Sequence, residues 1–373
     1  MQISGLYIHI PFCLRKCAYC DFYSSTHIGL IPEYLAALKR EIGLYREEFT
    51  SFDTVYFGGG TPSLLRPGQV GDILGAIRKA FVILPGAEIT CEVNPADLNR
   101  EDLKNLHDLG INRLNIGVQS FNDDELLLLG RRHDRRQAMH AIEDARQAGF
   151  ENIGLDLIYC LPGQDMRQWQ ATLAQAISLG PAHLSCYELE LKTHTPLGQR
   201  LAQGKIVQPG EDTQREFFLR TSEILEASGF VHYEVSNFAR GMDKASRHNQ
   251  KYWDHTPYLG LGPSAHSFQG TKRWWNHAAL AEYVRDLGQG HKPMAGSETL
   301  SPDQLYAEAL MLGFRTSRGI DLEKMKSSFG RDLLAEKAQV LEHYRRAGLI
   351  TIEPGFIRPT REGLSVADGL ARL

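Results

Sequence analysis

Net positive charge, long apolar runs and abundant cysteine are all lacking in this chain of 373 residues, and each absence excludes a class of protein. The N-terminal stretch Met1–Ile10 has no basic region followed by an apolar segment, so it does not read as a signal peptide. No apolar run approaches the roughly 20 residues that a membrane-spanning helix needs, so any membrane contact is peripheral. A formal net charge of −4 offers no basic field for nucleic acid or anionic lipid. Six cysteines in a chain of this length do not build a disulfide framework. No low-complexity segment appears. These absences together describe a cytoplasmic globular protein, long enough for a large core and two domains.

The cysteines that are present are concentrated. Cys13, Cys17 and Cys20 lie in Tyr7-Ile-His-Ile-Pro-Phe-Cys-Leu-Arg-Lys-Cys-Ala-Tyr-Cys20, directly after an apolar strand-like run. This spacing lets one short loop present three thiolates to one inorganic centre. A [4Fe–4S] cluster usually takes four cysteines, so three leave one iron open to an outside ligand. A structural zinc site normally shows a second ligand pair, and none follows here. A zinc loop and three unrelated thiols are the alternatives. Cys91, Cys160 and Cys186 sit in apolar runs and read as buried, inert thiols.

Strand-like runs recur at βα spacing: 6–11, 54–58, 88–93, 113–118, 152–158 and 183–189. Amphipathic helical segments lie between them, at 32–45, 69–80, 101–109, 135–148 and 166–178. This alternation implies an α/β fold with parallel strands and right-handed crossovers. Six units are too few for a closed eight-fold barrel, so the expected form is a partial, TIM-like (β/α)6 barrel over residues 1–290. A Gly/Pro/Ser-rich stretch at 291–302 reads as a linker. Three helices (303–313, 322–329, 333–347) and a hairpin at 348–360 then suggest a winged-helix-like domain over 303–373. Nothing basic marks a recognition helix there, so it is expected to pack or bind a partner rather than nucleic acid.

The unusual residues collect at the C-terminal ends of the strands, where such folds bind ligands. The cysteine loop follows the first strand and Gly58-Gly59-Gly60-Thr61 the second. Glu92, Gln119 and Asp156 mark the next three. S-adenosylmethionine binds an open cluster iron through its amine and carboxylate, and these neighbours suit it. Glycines allow close backbone approach, carboxylates and amides can read ribose and adenine, and Arg131 can pair a carboxylate. A plain tight turn is the competing reading of the glycines. A second constellation, His248-Asn249-Gln-Lys-Tyr252-Trp253, is followed by His266 and by Trp274-Trp275-Asn276-His277. Histidine among aromatics suits a porphyrin, with an axial nitrogen and flat apolar walls; a packed core histidine is the alternative.

The triad Cys-x3-Cys-x2-Cys, the Gly-Gly-Gly-Thr-Pro turn and Gly117-Val-Gln-Ser-Phe121 resemble the radical S-adenosylmethionine superfamily. Tyr-Ile-His-Ile-Pro-Phe-Cys, Asp156-Leu-Ile-Tyr-x-Leu-Pro-Gly163 and His-Asn-x-x-Tyr-Trp place the resemblance in the branch of oxygen-independent coproporphyrinogen III dehydrogenase, over nearly the whole chain. It implies a [4Fe–4S] cluster on Cys13, Cys17 and Cys20, and S-adenosylmethionine near Tyr7, Tyr19, Gly59, Gly60, Thr61, Glu92, Gln119, Arg131 and Asp156. An electron donor for the cluster is implied as a partner.

Two departures stand out. The dehydrogenase has a further cysteine two residues after the third, where this chain has Phe22. The dehydrogenase also carries a long N-terminal extension, whereas here only six residues precede Tyr7. Both departures match the heme-chaperone sub-branch. That implies heme as cargo at His248, Asn249, Tyr252 and Trp253, and a hemoprotein as recipient. Radical decarboxylation of coproporphyrinogen III, a radical methyltransferase and a zinc-dependent winged-helix regulator are the rival functions. Cys160 stands where relatives usually have glycine.

Overall fold

The computed structural model describes residues 2–371. The first half alternates strand and helix as expected: β1 (Ser4–Ile10), α1 (Ile31–Leu44), β2 (Ser51–Gly59), α2 (Pro67–Ala80), β3 (Val82–Val93), α3 (Arg100–Asp108), β4 (Arg113–Gln119), α4 (Asp123–Leu129), α5 (Arg135–Gln147), β5 (Asn152–Tyr159), α6 (Met166–Ser178) and β6 (His183–Glu188). Local chemistry sets the helix starts. Asp134 with Gln137, and Asp165 with Gln168, form capping boxes that satisfy the first free N–H groups of α5 and α6. β1 to β6 pair in order, each parallel to the next.

The sheet is larger than six strands. After α7 (Pro196–Ala202) and α8 (Glu211–Ala227), β7 (Val231–Glu234) and β8 (Asn237–Ala239) add antiparallel beyond β6. The chain then crosses through α9 (Arg247–Trp253) to β9 (Tyr258–Leu261), which lies parallel to β1 on the other side. β10 (His266–Gln269), β11 (Lys272–Asn276), α10 (Leu280–Gly288) and β12 (Met294–Thr299) complete this side. The 12-stranded order is β12-β11-β10-β9-β1-β2-β3-β4-β5-β6-β8-β7. The 291–302 stretch expected as a linker therefore contains an edge strand: Met294–Thr299 pairs antiparallel with β11. Its alternating small and polar residues hide the strand, because an edge strand with one exposed face needs little apolar content.

Successive strand residues face opposite sides. Leu6, Ile8 and Ile10, then Val55 and Phe57, Ile89, Cys91 and Val93, Leu114, Ile116 and Val118, and Leu155 and Leu157 all enter one core beneath the helices. The intervening residues face the barrel interior, and they are polar: Tyr7, Tyr56, Glu92, Asn115, Asp156, Ser185. The outward set also explains the three remaining thiols. Cys91, Cys160 and Cys186 are free and buried, and burial pushes all three thiols up. Cys160 has φ of 59°. That left-handed conformation is one glycine adopts without steric cost, which accounts for glycine in relatives.

A buried carboxylate ties the β9–β12 side to the barrel. Glu41 of α1 accepts from Gly262 N at 2.8 Å, Asn276 Nδ2 at 2.6 Å and Tyr283 Oη at 2.6 Å. Burial pushes its carboxyl up to about 7.

The remaining residues form α11 (Pro302–Phe314), β13 (Ile320–Asp321), α12 (Leu322–Phe329), α13 (Leu333–Glu336), α14 (Ala338–Arg346), β14 (Ile350–Glu353), β15 (Phe356–Pro359), α15 (Arg361–Leu364) and α16 (Ala367–Leu370). The helix expected over 333–347 breaks at Lys337, which lets Leu333 and Leu341 both reach a small core with Phe314, Ile350 and Ile357. A three-stranded sheet, β13-β15-β14, supplies the wing. This unit joins the barrel through Val235 N donating to Arg315 O at 2.9 Å and Ser317 N to Tyr233 O at 3.1 Å. Among the described residues, no helix is long and apolar enough to cross a membrane.

Glu41→Ala leaves three buried donors without an acceptor. It is expected to cost about 3 kcal/mol or more in stability, read as a lower denaturant midpoint with an unchanged slope. A midpoint equal to the parent would contradict the tie.

Candidate active site

The loop after β1 is held over the rim by its backbone. Cys13 N donates to Ser25 O at 3.0 Å, and Ser25 N returns to Pro11 O at 2.6 Å. Ala18 N donates to Leu129 O at 3.0 Å, while Leu197 N reaches Ala18 O at 2.9 Å. Arg15 Nη2 donates to Gly130 O at 2.8 Å. The glycine turn after β2 packs directly on this loop. Gly60 N donates to Ile10 O at 2.8 Å, and a Cβ on Gly60 would sit 2.7 Å from Phe12 O. The neighbouring Gly59 has φ of 112°. The glycines are therefore required both by the turn and by the approach of two backbones.

A cavity of about 580 Å³ opens at the C-terminal strand ends. Cys13, Cys17, Cys20, Tyr19, Gly59, Gly60, Thr61, Glu92, Gln119, Arg131 and Asp156 all line it. Tyr7 does not. One strand turn deeper, it donates toward His9 Nδ1 at 3.1 Å and stacks on Tyr56 at 6.0 Å between centroids. Thr61 Oγ1 lies 3.3 Å from Cys13 Sγ, and Arg131 Nη1 lies 3.5 Å from Cys17 Sγ. Arg131 Nη2 also donates to Gly117 O at 2.6 Å. The guanidinium thus touches the thiol loop and β4, and its Nε–H stays buried without a partner at the cavity wall. Burial raises the Cys20 thiol. The three thiols line one space, and among the described residues no three or more His, Cys, Asp or Glu side chains gather around a single point.

The floor is rich in acceptors. Burial, then the Asp156 carboxylate, push Glu92 up to about 7, against donation from Tyr56 Oη at 2.8 Å and from Gly59 N. Burial pushes Asp156 up to about 6, against donation from Ser185 and the positive fields of Arg113 and Arg131. Asp156 Oδ1 and Asn115 Oδ1 are buried without a partner. Buried acceptors left open, beside two carboxyls crowded into low dielectric, suit a ligand that brings N–H and O–H donors and positive charge. S-adenosylmethionine has an ammonium, a sulfonium and ribose hydroxyls, so the residues fit it. Asn115 and Tyr187 were not singled out in the sequence; both lie at inward positions of β4 and β6, and pleat alternation counted along each strand finds them.

A second cavity, of about 340 Å³, adjoins the first and shares Glu92 and Tyr187 with it. Tyr7, His248, Asn249, Tyr252 and Trp253 line it. The histidine motif lies on α9, whose start is fixed by Glu88 accepting from Arg247 N at 3.2 Å and His248 N at 3.0 Å. His248 Nδ1 lies 2.8 Å from Thr54 Oγ1, and Nε2 lies 2.8 Å from Tyr252 Oη. Burial, then Lys251, push the ring down to about 3. The expected axial role for His248 does not fit this geometry, since both nitrogens are committed and the ring is packed on Tyr56 at 5.1 Å. Asn249 and Trp253, one helical turn apart, present the motif's open polar atoms, and Trp253 Nε1 is buried without a partner.

Residues 7–176 match the Radical SAM superfamily, and residues 300–366 match the HemN C-terminal domain. The heme chaperone HemW of a Synechocystis species is 39% identical over 87% of this chain and 81% of its own length. The heme chaperone HemW of Bacillus subtilis is 33% identical over 97% of this chain and 96% of its own. The solved structure of coproporphyrinogen III oxidase (HemN) from Escherichia coli, a radical SAM enzyme, superposes with a TM-score of 0.86 at 25% identity, covering 99% of this chain and 89% of that one.

Gly60→Ala forces the glycine turn away from Phe12 and shifts the cysteine loop. After anaerobic reconstitution this variant is expected to hold less than about half the iron of the parent while keeping its far-UV spectrum, because backbone contact closer than van der Waals distance must be relieved locally. Iron content equal to the parent's would show that the loop does not depend on this contact.

Proposed function

Because the chain belongs to the radical SAM family that includes the HemW heme chaperones, we propose that it is a heme chaperone with a [4Fe–4S] cluster and S-adenosylmethionine in the cysteine-rimmed cavity. The observation that carries this reading is the extent of likeness to those chaperones, through barrel and C-terminal unit alike. Phe22 supports it. It stands where the dehydrogenase has its further cysteine, and the residue is 71% exposed at the cavity rim. The cargo is heme, and the recipient is a hemoprotein.

When bound, the cluster and S-adenosylmethionine supply one-electron chemistry at a sulfonium centre. The chain's own residues position and shield. Cys13, Cys17 and Cys20 hold the cluster, and Arg131 places positive charge beside Cys17. Tyr19 packs against Leu129, Ile158 and Leu189 and closes one wall. Gly59, Gly60 and Thr61 bring backbone groups close to the methionine end. Glu92, Gln119, Asn115 and Asp156 offer acceptors to the ammonium and the ribose.

The likeness to HemN keeps the enzyme reading in the test. Cluster-loaded protein carrying heme is mixed with a heme-free respiratory hemoprotein. The chaperone reading expects the recipient's Soret band to grow as the donor's falls. No transfer, together with release of carbon dioxide from coproporphyrinogen III under reducing conditions, would replace it with the decarboxylase. Cys17→Ala is expected to lose the brown chromophore, and its survival would overturn the ligand assignment.

Glu92 also gives a pH dependence. Its carboxyl is raised, so it takes up a proton as pH falls through about 7, and the cavity loses negative charge. S-adenosylmethionine is therefore expected to bind most tightly above that pH and to weaken about tenfold toward pH 5.5. Calorimetric titration checks this: Glu92→Gln should bind more weakly at pH 8 and show a flatter profile. A parent whose affinity is independent of pH would contradict it.

A further inference from the structure

Beneath Asp156 the barrel interior stays polar for two more rows of residues, and strand register sets the rows. Thr90 of β3 pairs with Arg113 of β4, and Arg113 with Asn152 of β5. One row up, Asn115 pairs with Gly154, and Gly154 with His183 of β6. Above that, Gly117 pairs with Asp156, and Asp156 with Ser185. Alternation points Thr90, Arg113, Asn115, Asp156 and His183 inward together with Glu92. The middle row, with Asn115 and His183 on either side of Gly154, therefore lies between the row of Arg113 and the row of Asp156.

Arg113 is fully buried. Its Nη1 donates to Asn152 Oδ1 at 3.0 Å and to Lys244 O at 2.9 Å, and both acceptors are neutral. A buried charge met directly by neutral groups alone is costly. Nε and Nη2 of Arg113 have no partner, and neither do Thr90 Oγ1, Asn115 Oδ1, His183 Nδ1 and Asp156 Oδ1. Six such atoms in three consecutive rows form one arrangement, because buried polar atoms are nearly always paired. His183 is neutral, since burial, then Arg113, push its ring well down, and its Nε2 lies 2.7 Å from Tyr233 Oη. In a neutral ring Nδ1 needs a partner in either tautomer. Gly154 keeps the place of that partner open: a Cβ there would lie 2.6 Å from Asn115 Oδ1 and 3.4 Å from His183 Nδ1. Water both donates and accepts, and is small enough to sit among such atoms.

We infer that Arg113 is a positioning residue for the cofactor site: ordered water beside Gly154 links its guanidinium, through Asn115 and His183, to the Asp156 carboxylate on the cavity floor. The titratable groups around Asp156 are Glu92 of β3, Tyr56 of β2, and Tyr187 and Cys186 of β6, and the Asp156 charge disfavours a second anion at each. The positive groups are Arg113 from below and Arg131 from beyond α4. Arg131 is engaged with Cys17 and Gly117, whereas Arg113 keeps two nitrogens for the row above it. Arg113 thus favours an ionised Asp156 beneath a cationic ligand. Each acceptor oxygen has two lone pairs, so water from below leaves one for the cofactor. This role rests on the S-adenosylmethionine part of the proposed function and deepens it with a residue outside the cavity.

The test uses the full chain with its cluster loaded. A high-resolution crystal structure is expected to show ordered water within hydrogen-bond distance of Asn115 Oδ1, His183 Nδ1 and an Arg113 nitrogen. Side chains bonded directly to one another there, with no water between them, would overturn the link. Calorimetric titration with S-adenosylmethionine across pH gives the second readout. Arg113→Met removes the positive charge, so Asp156 takes up its proton at higher pH. Affinity should then begin to fall at higher pH, and at pH 7 should be about threefold or more below the parent's. Arg113→Lys keeps the charge and should bring the profile back toward the parent's, which a merely structural role would not do. Gly154→Ala fills the place of the water against side-chain atoms alone, so it tests the link even where Arg113→Met does not fold, and it should move the profile in the same direction. Folded Arg113→Met or Gly154→Ala with the parent's pH profile would overturn the role of Arg113 and leave the cofactor reading standing. A parent that binds no S-adenosylmethionine at any pH would overturn both.

Discussion

Each barrel strand turns its apolar residues toward the helices and its polar residues inward, and the rest of the molecule depends on that alternation holding across β1 to β6. The outward set packs against the helices to build the main core. The inward set would be costly to bury unpaired, and it is stabilised in two ways. Lower in the barrel, side chains satisfy one another: His248 with Thr54 and Tyr252, Tyr56 with Glu92. At the upper rim they stay open, with Asp156 Oδ1 and Asn115 Oδ1 lacking partners. A rim of unmet acceptors below three thiols suits a cationic, donor-rich ligand.

The same constraint separates the two histidine regions. Inside the barrel an imidazole is desolvated and must be neutral, so His248 takes two hydrogen bonds and becomes part of the wall. On the antiparallel β10–β11 side, one face looks onto an open cleft. There His266 keeps its nitrogens free and rests on an indole. Position relative to the sheet, and not residue type, decides which histidine is built into the wall and which opens onto a cleft. The C-terminal unit borders that cleft through Met311 and Leu312 of α11.

Much of this was legible in the sequence. The strand-end rule located ten of the residues that converge on the cavity from the cysteine loop and β2 to β5, together with Arg131 beyond α4. Tyr7 came from the resemblance instead, and the structure places it inside the strand, lining the adjoining cavity beside Glu92 and not the first one. The rule passed over Tyr187 and Asn115, because a pattern search favours glycine and carboxylate over neutral side chains. Residues 294–299 looked like a linker because Gly296 and its small neighbours resemble loop composition; the need for a flat place beneath Trp275 is a tertiary fact with no local signature. The partners of His248 are equally invisible locally, since Thr54 lies 194 residues away in the chain.

The most direct test of the central claim is electron paramagnetic resonance of the reduced, reconstituted protein with and without S-adenosylmethionine. Three thiol ligands leave one iron accessible, so the cluster spectrum should change when S-adenosylmethionine is added, and that change should be lost in Cys17→Ala along with the cluster itself. A reduced cluster whose spectrum is identical in the presence and absence of S-adenosylmethionine would contradict the account.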